Sequence, residues 1–220
     1  MKAIVVLISG NGSNLQTIID GCANGSIPGY ITGVIANKAN AYGLKRAVAA
    51  KIPTKVISHK DYQDRQQYDT VLKDAILAYG AELIVLAGFM RILTPEFVQF
   101  FSGKLLNIHP SLLPKYQGLD THQRAIDAGD IEHGCSVHFV TEQLDGGPVV
   151  LQAKVPIFPG DDASMVAARV HEQEHLIYPL VVRWFCQNRL QQRANEAWLD
   201  GHLLSVQGYA QDEDDSDVAR

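Results

Sequence analysis

Ile4-Val5-Val6-Leu7-Ile8 is a run of five aliphatic residues with no polar position among them. A strand with one wet face alternates apolar and polar residues, so an unbroken apolar run of strand length calls for cover on both faces. Leu83-Ile84-Val85-Leu86 repeats the signal. Such runs alternate with helix-period segments: Ala3–Ile8 then Leu15–Cys22, Tyr30–Ala36 then Leu44–Ala50, Thr54–Ile57 then Tyr68–Tyr79. This alternation predicts an α/β fold, a doubly wound and mostly parallel sheet with helices on both faces. Thr94-Pro95-Glu96 then opens a short helix, with Thr as N-cap and Pro at the first helical position, and a fifth strand follows over Lys104–Ile108.

The second half reads differently. Ser136–Thr141 and Val149–Pro156 are strand-like and separated by a bend, Leu144-Asp145-Gly146-Gly147. A long helix starts near Asp161–Ser164 and runs toward Cys186, with Pro179 inside it expected to produce a kink. No linker or repeat precedes residue 211, so residues 1–210 are expected to form one domain, followed by an acidic, disordered tail over 211–220. Of the net charge of −5, most lies in that tail, because its last ten residues hold five acids and one base. The nearly neutral remainder argues against a nucleic-acid-coating surface. Three widely spaced cysteines (Cys22, Cys135, Cys186) without a CxxC pair point to a reducing compartment. Six apolar residues near the N-terminus are too few for a signal segment, and no run reaches membrane-spanning length, so a soluble, cytoplasmic chain is expected.

Three stretches can carry chemistry. Ser9-Gly10-Asn11-Gly12-Ser13-Asn14-Leu15 joins the first strand to the first helix, where glycines and free helix-start amides suit an anion such as phosphate. Leu15 stands where a dinucleotide fingerprint needs its third glycine, and Asn37 follows the second strand where a ribose-binding acid is expected. A tight turn with Ser13 or Asn14 as N-cap and a monophosphate site are both open readings. His171-Glu172-Gln173-Glu174-His175 matches metalloprotease helix patterns, but no third ligand is evident. The alternative is a polar flank on a helix whose apolar stripe is Val166, Val170, Ile177, Val181 and Trp184, with Gln173 and Glu174 within or beside it. In Leu106-Asn107-Ile108-His109-Pro110-Ser111, Asn107 and His109 share a face at the C-terminal end of the fifth strand, where open α/β sheets bind ligands. An amide beside an imidazole is a plausible oxyanion and proton-transfer pair. Asp145 is the best carboxylate to complete it, or else an ordinary turn aspartate.

Five motifs together resemble the phosphoribosylglycinamide formyltransferase family: residues 8–15, 86–93 (Leu-Ala-Gly-Phe-Met-Arg-Ile-Leu), 106–114, 134–141 and 144–148. The resemblance implies transfer of a formyl group from 10-formyltetrahydrofolate to the amine of glycinamide ribonucleotide, in purine biosynthesis. It implies a metal-free reaction, small-molecule substrates, and a monomer or weak homodimer. By motif match Asn107 and protonated His109 would stabilise an oxyanion, His109 would act as general acid, and Asp145 would orient His109 and raise its pKa. Gly12, Ser13, Asn14 and Glu174 would meet the ribonucleotide. Arg65, Met90, Arg91, Ile92, Leu93, Asn107, Thr141, Glu142, Gln143, Leu144 and Asp145 would meet the folate.

Two positions depart from the family's common Lys-Tyr-Pro-Gly-Leu-His-Thr-His pattern, which reads Lys115-Tyr116-Gln117-Gly118-Leu119-Asp120-Thr121-His122 here. Asp120 in place of histidine is expected to make the cleft more acidic. The nearest rivals are formyltetrahydrofolate hydrolase, which carries an N-terminal regulatory domain, and methionyl-tRNA formyltransferase, which carries a C-terminal barrel. A first strand at residue 3 and a short acidic C-terminal stretch are expected to disfavour both. A catalytically silent folate- or nucleotide-binding protein would not need Asn107, His109 and Asp145 together.

Overall fold

The computed structural model describes residues 1–209. The acidic tail expected over 211–220 lies outside the described residues. Strands β1 (Lys2–Ile8), β2 (Gly29–Ala36), β3 (Thr54–Val56), β4 (Leu83–Leu86), β5 (Leu105–His109), β6 (Glu132–Phe139) and β7 (Val149–Pro156) form one sheet in the order β3-β2-β1-β4-β5-β6-β7. The pairs from β3 through β5 are parallel, and β6 and β7 are added antiparallel. The expected doubly wound, mostly parallel sheet is what forms.

Alternation along β1 explains why its sequence is apolar throughout. Ile4, Val6 and Ile8 enter a core shared with α1 (Ser13–Ala23) and α6 (Ala163–Cys186), together with Leu15, Ile18, Val170 and Val181. Val5 and Leu7 enter a second core on the opposite face, shared with α3 (Arg65–Ala78) and α4 (Pro95–Phe100), where Leu72, Ile76 and Phe97 meet them. Thr94 caps α4 as expected, its Oγ1 accepting from Phe97 N. The stripe predicted for α6 is buried at every position named: Val166, Val170, Ile177, Val181 and Trp184. The helix continues through Pro179 as one element.

Chain order reverses about β1, because β1 leads outward through β2 to β3 on one side and β4 leads outward on the other. The βα connections diverge there and leave a crevice at the C-terminal strand ends. Ser9 Oγ spans this point, accepting from Met90 N at 2.8 Å. Tyr178 of α6, fully buried, shares its hydroxyl proton between Leu86 O and Leu106 O, each 2.9 Å away, and so ties the last residue of β4 to the neighbouring part of β5.

Three features were not anticipated. β6 starts at Glu132, four residues before the expected start, and ends at Phe139. Helix α5 (Thr121–Asp127) buries only Thr121 and Ala125, too little apolar periodicity to read. A small sheet, β8 (Leu190–Arg193), β9 (Glu196–Leu199) and β10 (His202–Leu203), follows α6. Beyond it Tyr209 N donates to Val150 O at 2.8 Å, laying the chain along β7.

Replacing Tyr178→Phe leaves two buried carbonyls without their donor at nearly constant volume. A loss of about 1–3 kcal/mol in unfolding free energy is expected, read from urea titration of both proteins.

Candidate active site

The loop after β1 turns through Gly12, whose φ of +74 is left-handed. A Cβ there would stand 2.6 Å from Gly43 Cα, at the start of α2 (Gly43–Ala49), so no larger residue fits. Gly12, and neither Ser13 nor Asn14, is the N-cap of α1, and no side chain caps the helix. The first-turn amides are therefore left for an anion, as the open monophosphate reading requires. Arg46 of α2 braces the loop by donating to Asn11 O at 2.9 Å and to Asn11 Oδ1 at 2.8 Å.

Ser13 and Asn14 are instead engaged with α6. Ser13 Oγ lies 2.8 Å from His171 Nε2, His171 Nδ1 lies 3.1 Å from Glu174 Oε2, and Asn14 Nδ2 donates to the same Glu174 oxygen at 2.9 Å. Glu174 is buried, so its charge is compensated by these donors. The Glu174 hydrogen bond and charge raise the His171 pKa against the opposing effect of burial. Asn14 Oδ1 and His175 Nε2 are buried with no partner. Both ring nitrogens of His171 are thus committed, and among the described residues no three His, Cys, Asp or Glu groups are placed to hold a metal ion. Sequence patterns alone assign His171 no substrate role; its i, i+3 spacing to Glu174 is the available signal.

At the other side of the crevice β5 presents Asn107 and His109. The antiparallel register sets Asn107 opposite His138 of β6. Asn107 Nδ2 lies 3.1 Å from His138 Nε2, while His138 Nδ1 donates to Phe139 O at 2.8 Å. This fixes His138 as the Nδ1–H tautomer, accepting from Asn107. Burial pushes the His138 pKa down to about 4, so the ring is neutral, and its 3.9 Å approach to Asp145 Oδ1 is not an ion pair. His138 lay within a recognised motif without a role, because its partner across the sheet is invisible until β5 and β6 are known to pair.

Asp145 Oδ2 lies 3.5 Å from His109 Nδ1 and accepts from Gly118 N at 3.0 Å. His109 Nε2 donates to Tyr116 O at 2.8 Å, so the ring has a partner suited to an N–H on each nitrogen. Gly147 lets the Asp145 bend close against β6: a Cβ there would stand 1.8 Å from Phe139 O. Asp145 also borders a narrow cleft of about 90 Å³ lined by Leu86, Phe89, Arg91, Ile92, Leu93, Val98, Asn107, His138 and Val140–Asp145. Most residues expected at the folate, Arg91, Ile92, Leu93, Asn107 and Thr141, Glu142, Gln143, Leu144 and Asp145, thus line one cleft. Two do not. Met90 projects outward at 65% exposure, and Arg65 sits in the first turn of α3, where its charge and that of Arg91 both act on Asp69. Arg91 stacks over the Tyr68 ring at 4.8 Å, with its Nε buried and unpartnered. Asp120 is exposed at the N-cap of α5 and does not line the cleft.

An amide, an imidazole and a carboxylate thus converge on the crevice at the strand-order reversal. The chain belongs to the formyl transferase family, whose profile matches residues 2–182. Within it the chain is similar to the phosphoribosylglycinamide formyltransferases of Haemophilus influenzae and Escherichia coli. Each is 58% identical over 210 residues, covering 96% of this chain and 99% of the relative. The solved phosphoribosylglycinamide formyltransferase of Coxiella burnetii, in complex with CHES, superposes with a TM-score of 0.90 at 50% identity, covering 94% of this chain and 98% of that one. Among the described residues no helix is long and apolar enough to cross a membrane.

Burial also holds His133 neutral, its pKa pushed down to about 4. Both His133 and His138 ionise near 6.5 once unfolded. Between about pH 6.5 and 4 the unfolded chain therefore binds more protons than the folded one, and stability must fall as pH falls. Calorimetric melting from pH 7 to 4.5 is expected to show a steadily falling Tm; a flat profile would contradict these environments.

Proposed function

We propose that this protein transfers the formyl group of 10-formyltetrahydrofolate to the amine of glycinamide ribonucleotide, giving formylglycinamide ribonucleotide and tetrahydrofolate, with residues 1–210 as one catalytic unit. The observation that carries this reading is the convergence of Asn107, His109 and Asp145 between an anion-ready helix start and a narrow cleft with both apolar and polar walls. The relatives' names point to the same reaction.

The folate supplies an electrophilic formyl carbon. The cleft suits its flat pterin: aliphatic and aromatic walls flank the ring, the 140–145 backbone offers hydrogen bonds, and the orphaned Arg91 Nε awaits a partner. Met90 and Arg65 would meet the folate only outside this cleft, Arg65 toward its anionic tail. Gly12, Ser13 and Asn14 take the ribonucleotide phosphate on free amides, and Glu174 faces its amine-bearing end. We add His171 to this set as acting through Ser13, because Glu174 favours its charged form and its Nε2 bonds to Ser13.

As the amine adds to the formyl carbon, negative charge develops on the formyl oxygen. Asn107 is held by His138 with its amide available to that oxygen, and the His109 imidazolium supplies a second donor. The His109 Nε2 proton then passes to the departing folate nitrogen, and the incoming amine gives up a proton in return. For this the Tyr116 carbonyl must turn away from His109. Asp145 faces Nδ1 throughout and keeps the ring oriented.

Purified protein mixed with both substrates is expected to release tetrahydrofolate, followed by absorbance. Asn107→Ala, His109→Ala and Asp145→Ala should each retain the fold and lose roughly 10²–10³ in turnover. Near-wild-type turnover in folded His109→Ala, or release equally fast without the ribonucleotide, overturns the reading. Because His171 loses its charge as pH rises, kcat/KM for the ribonucleotide should decline on the alkaline side. His171→Ala should raise KM for that substrate with kcat little changed, and should flatten the decline.

A further inference from the structure

Asp145 has a left-handed backbone, φ +48, which aspartate adopts more readily than most residues and which local hydrogen bonds can hold. Packing does not supply that hold on one side. Behind the bend lies a cavity of about 400 Å³, bordered by Gln117, Asp145, Gly146, Gly147, Leu204 and Val206 among others. Hydrogen bonds do. Gln117 Nε2 donates to Asp145 O at 3.2 Å, and the next residue, Gly118, donates its backbone N–H to the carboxylate. Gln117 is itself anchored, its carbonyl accepting from Arg124 Nη1 of α5 at 2.7 Å. At this position the family commonly has proline, which offers neither a side-chain donor nor a backbone N–H.

The geometry points to Gln117 as a positioning residue for formyl transfer: its side-chain amide ties α5 to the Asp145 bend and so keeps the Asp145 carboxylate against His109. This rests on the proposed activity and extends it to a residue outside the reacting set. Gln117 and Gly118 bond to Asp145 and not to His109, so the Tyr116 carbonyl can leave the ring while Asp145 stays in place. The titratable groups around His109 are Asp145 on the bend, His138 and His133 on β6, and His122 on α5.

Gln117→Met keeps the length of the side chain and removes the donor. Its kcat is expected to fall about 3–10-fold, the worth of one neutral hydrogen bond, with KM for both substrates within about twofold. Gln117→Glu, which puts an acceptor where the donor was, is the second variant and should lose more. Calorimetry on both checks that the Tm stays within a few degrees. Wild-type kcat in either folded variant overturns the inference, as does a raised KM at unchanged kcat. Wild-type protein that releases no tetrahydrofolate overturns the activity itself, a result distinct from active wild type with indifferent variants.

Discussion

The reversal of strand order between β1 and β4 is the constraint on which the site depends. At that point neighbouring connections leave the sheet toward opposite faces, so the carboxyl ends of the strands are uncovered and a crevice exists before any side chain is placed. What keeps the crevice in shape is a small number of buried polar links. Ser9 spans the reversal to Met90, and Tyr178 reaches from α6 to the end of β4 and the adjoining part of β5. Each joins elements far apart in sequence, so the geometry of the crevice is a property of the completed sheet.

The two halves of the site are assembled in different ways. On the phosphate side the geometry is local, a glycine turn into a helix start, steadied from outside by Arg46 and by the His171–Glu174 pair on α6. On the reacting side it comes from antiparallel pairing. Register places His138 opposite Asn107, and the β6–β7 connection folds Asp145 back over His109. The buried, neutral His138 gives Asn107 one defined orientation. A charged ring there would have no acceptor lone pair to offer, so the depressed pKa and the orientation of Asn107 belong together.

Much of this was legible in the sequence because it is written in local patterns. Continuous apolar runs marked β1 and β4, and the stripe on α6 was placed residue by residue. Asn107 and His109 were paired by strand alternation alone. Partnerships between distant segments were not legible. His138 and Arg46 act through neighbours 31 and 35 residues away, and His171 through Ser13 at a separation of 158. Helix α5 and the strands after α6 escaped because their apolar positions are too few to set a period. Of the two readings left open for the first loop, a cap at Ser13 or Asn14 does not form for a related reason: these side chains are drawn to α6, which lies beside them only in the fold.

The path of the chain after the small sheet bears on how the protein behaves among its own copies. A seven-stranded sheet has two open sides, each a row of unpaired amides and carbonyls that could recruit another chain. One ends in β3, only three residues long and exposed throughout, with Lys55 at its centre. The other ends in β7, where Tyr209 occupies the carbonyl of Val150 and its ring packs against Trp184. The molecule thus limits one flank by brevity and charge and covers the start of the other by laying Tyr209 beside Val150 and Leu151. A truncation that removed Tyr209 would leave the catalytic groups in place and expose Val150 O on the outer side of β7.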